Sequence, residues 1–204
     1  MKKLSRDFYL RQDVVHISRE LIGKFLVTQI GDELTSGMII ETEAYNGIVD
    51  KASHAYNNRR TSRTEIMFGP GGVSYVYLCY GIHHLFNIVT NEEEIPHAVL
   101  IRAILPKDGL ETMLKRRKQK SVTKKISDGP GTVSQALGIK IKHSGSSLSE
   151  DLIWVEDRGM NFKKKDINAG PRIGVDYAGK DALLPYRFRL VDNVINNIRD
   201  EWYS

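Results

Sequence analysis

Cysteine is almost missing from this sequence: the single one is Cys79, inside the apolar run "YVYLCYGI". A lone cysteine excludes a disulfide framework, a CxxC zinc site and a cysteine-held iron–sulfur cluster, and it suits a reducing compartment. Long hydrophobic runs are missing too. No stretch of about 18 apolar residues occurs, so no segment is expected to cross a membrane. The N-terminal "MKKLSRDFYLRQD" carries two lysines with no apolar stretch behind them. It predicts no signal peptide and a cytoplasmic location. There is no internal repeat and no GxGxxG, Walker A or helix-hairpin-helix pattern, which removes the common nucleotide-binding loops.

What is present is a chain of 204 residues, 41% hydrophobic and 27% charged, the balance of one globular domain spanning residues 1–204. Net charge is +5 and the excess is clustered, in "NNRRTSR" at 57–63, "KRRKQKSVTKK" at 115–125 and "KKK" at 163–165. Such clusters suit a protein that touches phosphate backbones, and they are equally compatible with a solvated basic surface.

The periodicity predicts few helices and many strands. Asp13 caps a short helix in "DVVHISRELIG", with Val14, Ile17 and Leu21 on one face. "KFLVTQI", a "GD" turn and "ELTSGMIIETE" read as a hairpin. Residues 46–72 are a long polar loop, of the kind that is functional or disordered. "VSYVYLC" and "IHHLFNIVT" form a second hairpin with Tyr80 and Gly81 at its tip. "HAVLIRAIL" is a strand, "DGLETMLKRRKQK" a helix capped by Asp108, and "DGPGTVSQALGI" a turn entering a helix. "DLIWVED", "PRIGVDYA" and "PYRFRLV" give a strand-rich C-terminal half. Strands adjoin strands, so the expected class is α+β: a single mixed domain with a curved, largely antiparallel sheet, short flanking helices and a protruding β-hairpin. Residues 115–128 are the expected mobile segment.

"IIETEAYNGIVDKASHA" at 39–55 carries the chemistry. Alternation places Ile39, Glu41 and Glu43 on one side of a strand. Two carboxylates on one side repel unless one is protonated, paired or metal-bound. Three readings stay open. One carboxylate pairs with an arginine while the other faces water; Glu41, Glu43, His54 and one of His83 or His84 hold a metal; or one carboxylate is a general base that activates water. Tyr75 and Tyr77 share a strand face and read as core. Tyr80, at a hairpin tip, is placed to stack on, or wedge into, something outside the protein.

Five blocks, "IIETEAYNGIVDKASHA", "MFGPGGVSYVYLCYGIHHLFNIV", "VLIRAILP", "DGPGTVSQALGI" and "GPRIGVDYAG", together resemble the alkyladenine (3-methyladenine) DNA glycosylase family, in the family's order and across nearly the whole chain. The resemblance implies a fold like the C-terminal domain of methionyl-tRNA formyltransferase. It implies an enzyme that flips a damaged nucleotide from duplex DNA into an aromatic pocket and hydrolyses its N-glycosidic bond, leaving an abasic site. Glu43 corresponds to the residue that activates water and Arg102 to the arginine that helps to hold it, with a backbone contribution near Val175. Tyr45, His54 and Tyr77 correspond to the pocket walls, Tyr80 to the side chain that fills the gap left by the nucleotide, and Asn87 to the residue that obstructs the guanine amino group. The sequence departs from the family in the 115–125 segment and in "DYAGKDALLPYRF". No cofactor and no metal are expected. The expected partner is double-stranded DNA containing alkylated purines, met by a monomer in the cytoplasm at the nucleoid. Two other classes compete: a non-catalytic nucleic-acid-binding module, for which Glu43 has no use, and a metal-dependent hydrolase of small phosphorylated substrates.

Overall fold

A computed structural model describes residues 2–123 and 126–203. Lys124 and Lys125, part of the basic segment expected to be mobile, lie outside the described residues. The fold is built around one long strand, β3 (Glu33–Tyr45), which follows β2 (Phe25–Ile30) through the Gly31–Asp32 turn. β6 (His97–Asp108) runs along one edge of β3. The other edge is shared, by β2 over residues 33–38 and by β9 (Arg187–Leu190) over residues 41–43.

β4 (Ser74–Cys79) and β5 (His83–Thr90) form the second expected hairpin, with β5 paired to β6. β1 (Lys2–Lys3) and β7 (Ile153–Asp157) extend the sheet beyond β2, and β8 (Ile167–Gly170) pairs with β9. The order is β1-β7-β2-β3-β6-β5-β4, with β8 and β9 branching from β3, and every pairing among the described residues is antiparallel. This is an open antiparallel sheet with helices around it, an α+β arrangement.

Two strand irregularities prepare the site. Ile39 faces Ile104 and Glu41 faces Ala103, which leaves Ile40 extra on β3; Thr42 faces Ile101, which leaves Arg102 extra on β6. An inserted residue switches the alternation of side chains. Ile39, expected beside the carboxylates, is instead fully buried in the main core.

The helices follow local signals with one exception. α1 (Arg6–Tyr9) leads to α2 (Val14–Glu20), where Asp13 accepts the His16 amide at 2.9 Å and Val14, Ile17 and Leu21 are buried as expected. α4 (Pro130–Leu137) starts on proline and stops at Gly138. At α3 (Leu110–Arg117) the expected Asp108 cap is not made. Asp108 ends β6, and its carboxylate accepts from Ser36 and Arg158. Gly109 stands at the helix start with φ of 71°, and a Cβ there would lie 2.3 Å from the Leu34 carbonyl oxygen.

"PRIGVDYA" is not a strand. Pro171 cannot donate to a ladder and Gly174 turns the chain with φ of 75°, after which residues Asp176–Leu183 coil as short helical turns. The C-terminal α5 (Asp192–Tyr203) adds a helix to those expected from the sequence; Ile195 and Ile198 are its buried residues, and Trp202 packs on Phe25. The long loop of residues 46–72 is folded by three helical turns, Gly47–Val49, Tyr56–Asn58 and Glu65–Phe68. It supplies Ala55, Met67 and Phe68 to a small apolar cluster with Tyr75. Ala52 joins Val175, Ala178 and Ala182 in another, against Tyr45. Among the described residues no helix is long and apolar enough to cross a membrane.

Candidate active site

Between those two small clusters and the β3–β6 face lies a cavity of about 190 Å³. Its walls bring together residues far apart in sequence: Tyr45 from the end of β3, His54 from the folded loop, Tyr77 from β4, Asn87 from β5, Arg102 from β6 and Val175 from the C-terminal turns. Tyr80 stands at its mouth. Glu43 does not reach the wall. It lies behind it, with no exposed surface, and three residues that do line the cavity hold it there. The Ile173 amide donates to one carboxylate oxygen at 2.8 Å, and the Tyr45 hydroxyl donates to the other at 2.8 Å. Arg102 approaches at 3.3 Å.

The two carboxylates are treated differently. Glu41 meets three guanidinium groups, Arg189 at 2.6 Å, Arg187 at 3.0 Å and Arg102 at 3.4 Å. Glu43 meets one. The reading that leaves the second carboxylate facing water is therefore corrected: Glu43 is the more buried of the two. Burial pushes its carboxyl above the usual range, against the opposing pull of Arg102, the Ile173 amide and the Tyr45 hydroxyl. The neighbouring Tyr45 hydroxyl is pushed well up by its own burial and then by Glu43, so it stays protonated and donates.

The aromatic wall is ordered. Tyr75 and Tyr77 stack with ring centroids 5.5 Å apart, and the His54 ring meets Tyr77 edge-on at 4.7 Å. His54 Nδ1 is 2.9 Å from the Tyr75 hydroxyl. Burial first, then Arg63 and Arg59, lower the histidine to about 4, so at neutral pH it carries no charge. Tyr75, expected in the core, thus lines the wall as well. Asn87 is buried and donates to the Tyr75 carbonyl at 3.1 Å and the Leu85 carbonyl at 3.4 Å while lining the cavity.

Tyr80 is 92% exposed, and its φ of 51° is left-handed, a conformation that costs a bulky residue energy. Ile173, Tyr177 and Leu100 also line the cavity and had no sequence signal. The residues of the metal reading do not converge: His54 faces Tyr75, and His84 accepts from the Ile141 amide. Among the described residues no three of His, Cys, Asp and Glu come together as ligands. In the 115–125 segment, Arg116 reaches Glu33 at 2.9 Å and the Ala136 carbonyl, and Arg117 donates to the Ile126 carbonyl, so two of these cations bind the protein itself.

The cavity is walled by tyrosine and histidine, with a projecting aromatic at its mouth and a buried carboxyl group behind it, a lining that suits a flat ring. The model of the methylpurine-DNA glycosylase family matches residues 7–194. A "Putative 3-methyladenine DNA glycosylase" of Chlamydia felis is 46% identical over 188 residues, 92% of this chain and 95% of that protein. One of the same name from Desulfitobacterium hafniense is 41% identical over 200 residues, 95% of this chain and 97% of that protein. The chain belongs to the methylpurine-DNA glycosylase family. It is a DNA glycosylase, a hydrolase of DNA repair with DNA as its substrate.

The raised carboxyl of Glu43 has a consequence for stability. A group whose folded value lies above its ordinary 4.5 contributes stability that is full below that value and is lost as pH rises through the folded one. Glu43→Gln keeps the size and removes the ionisation. The variant is expected to unfold in urea at a higher midpoint than the parent at pH 7, with the difference closing near pH 4. A lower midpoint for the variant at pH 7 contradicts this.

Proposed function

We propose that the protein excises 3-methyladenine and related alkylated purines from double-stranded DNA, flipping the nucleotide into the cavity and hydrolysing its N-glycosidic bond with water activated by Glu43. The observation that carries this reading is Glu43 itself: a carboxylate held buried and above its usual range, in a protein of net positive charge, directly behind an aromatic cavity. A module that only bound nucleic acid would have no use for it.

The steps follow from the groups present. A stacked base cannot be attacked at its sugar carbon until it leaves the helix. Extrusion leaves a gap, and Tyr80, held out in a strained turn, is the side chain placed to fill it. Alkylation at N3 or N7 makes a purine cationic, and tyrosine faces attract a cation where a neutral His54 does not repel it. A cationic base is already a good leaving group. What remains is a positioned water, a proton acceptor and negative charge near the cation-like sugar. Glu43 supplies the last two; Arg102 and the backbone near Val175 hold the water. No lysine is among the described residues lining the cavity, so the bond breaks without an imine and an intact abasic site is left.

Glu43→Gln tests this directly. It should bind lesion-containing duplex as the parent does and lose base release by about 10²–10⁴-fold, the usual cost of removing a general base. Near-normal release of free base, measured by chromatography, would remove Glu43 from the mechanism.

Asn87 sets selectivity in this reading. The exocyclic amino group of guanine projects on the minor-groove edge, and a side chain facing it excludes guanine-derived bases. Asn87→Ser should raise release of 7-methylguanine relative to 3-methyladenine, assayed side by side. Because the Asn87 amide also holds two hairpin carbonyls, an equal fall on both bases with lowered stability would assign it a packing role instead.

A further inference from the structure

Behind Tyr45 lies a buried ion pair that the mechanism has not used. Arg172 has no exposed side-chain surface and grips Asp50 with both terminal nitrogens. Asp50 is itself buried and also accepts the amides of Asn46 and Ala52, at 3.1 and 3.0 Å. These contacts fix the guanidinium, and the fixed guanidinium reaches two successive residues of β3. It donates to the Ala44 carbonyl at 2.9 Å and lies 4.9 Å from the centre of the Tyr45 ring. The peptide that follows it carries the Ile173 amide, which donates to Glu43.

Both hydrogen bonds that Glu43 accepts, from the Ile173 amide and the Tyr45 hydroxyl, thus come from groups that Arg172 anchors. The same guanidinium donates to the Asp181 carbonyl at 3.0 Å, tying the C-terminal turns to the loop of residues 46–52. We propose that Arg172, fixed by Asp50, is a positioning residue for base excision: it holds the donors of Glu43 in register, so that the carboxylate has one orientation when a base enters. Asp50 and Arg172 do not themselves line the cavity; they act through the wall residues Tyr45 and Ile173. This inference rests on the role given to Glu43 above.

A buried charged pair of this kind is also structural, so the test needs readouts that packing alone does not move. Single-turnover release of 3-methyladenine, affinity for lesion duplex and the pH profile of release are measured for Arg172→Lys, Arg172→Gln and Asp50→Asn, with the folded fraction of each taken from circular dichroism. Lysine keeps the charge but cannot serve all four acceptors. The release rate per folded molecule should fall on the order of tenfold to a hundredfold, least for Arg172→Lys, as expected when a reacting group is misplaced by about 1 Å. Duplex affinity should hold.

The acid limb of the profile should move to higher pH. Loss of the amide and hydroxyl donors leaves Glu43 facing Arg102 from β6, Glu41 with Arg187 and Arg189 from β3 and β9, and the Tyr177 hydroxyl from the C-terminal turns. Fewer donors to the charged form mean a higher carboxyl value. If Arg172→Gln does not fold, Arg172→Lys and Asp50→Asn decide. An unchanged rate and acid limb per folded molecule overturns the proposal, as does a rate that falls only with the folded fraction. If Glu43→Gln still releases base, the failure belongs to the role of Glu43; if it is inactive while these variants match the parent, only the positioning role falls.

Discussion

The structure depends on holding one carboxyl group, that of Glu43, out of water with two hydrogen bonds and a single guanidinium. An ionised side chain with no exposed surface needs hydrogen bonds and opposite charge, or it takes up a proton. Glu43 is given two hydrogen bonds and one guanidinium, and its carboxyl still stands above the usual range. Glu41, two residues earlier, takes up Arg187 and Arg189 and shares Arg102, so that Glu43 is left with a single arginine. The extra residue Arg102 on β6, the branching of β9 onto β3 and the turn at Gly174 all converge on this arrangement. Fold and chemistry are coupled at β3.

A site held this way works against stability, because burial raises the Glu43 carboxyl above its ordinary value. Tyr80 represents a similar cost in the backbone. A tyrosine at positive φ on an exposed turn contributes nothing to the core, and its backbone carries strain that packing does not repay. The basic clusters divide in a similar manner. Arg60 is held by Glu65 and Glu94, and Arg116 by Glu33, while Arg63 lies over the Tyr77 ring at the cavity. Charge that composition alone would assign to a polyanion is partly committed to the fold.

Local signals made the two hairpins legible, because the Gly31–Asp32 and Tyr80–Gly81 turns sit between alternating strands. Asp13 and Pro130 likewise announced their helices. At Asp108 distant partners override the local signal. Asp108 precedes a helix as a cap should, but Ser36 and Arg158 claim its carboxylate. Val194, Ile195, Ile198 and Trp202 recur at helical intervals in α5, yet intervening asparagines weakened the pattern. At the site, the family resemblance gathered Tyr45, His54, Tyr77, Asn87, Arg102 and Val175, which the fold places around one cavity. It did not reveal Asp50 and Arg172, which meet across 122 residues, nor that Glu43 stands behind the wall. Pairings at that separation leave no local periodicity to read.

The most direct test of the account is the pH dependence of single-turnover base release from duplex DNA carrying N7- or N3-methylated purines. Their positive charge is permanent, so protonation of the leaving group adds no ionisation of its own. The account predicts a rate that falls on the acid side through one ionisation lying above the ordinary glutamate value of 4.5, and a Glu43→Gln protein whose residual rate lacks that limb. A parent profile flat through this region, or an acid limb that persists in Glu43→Gln, would contradict it.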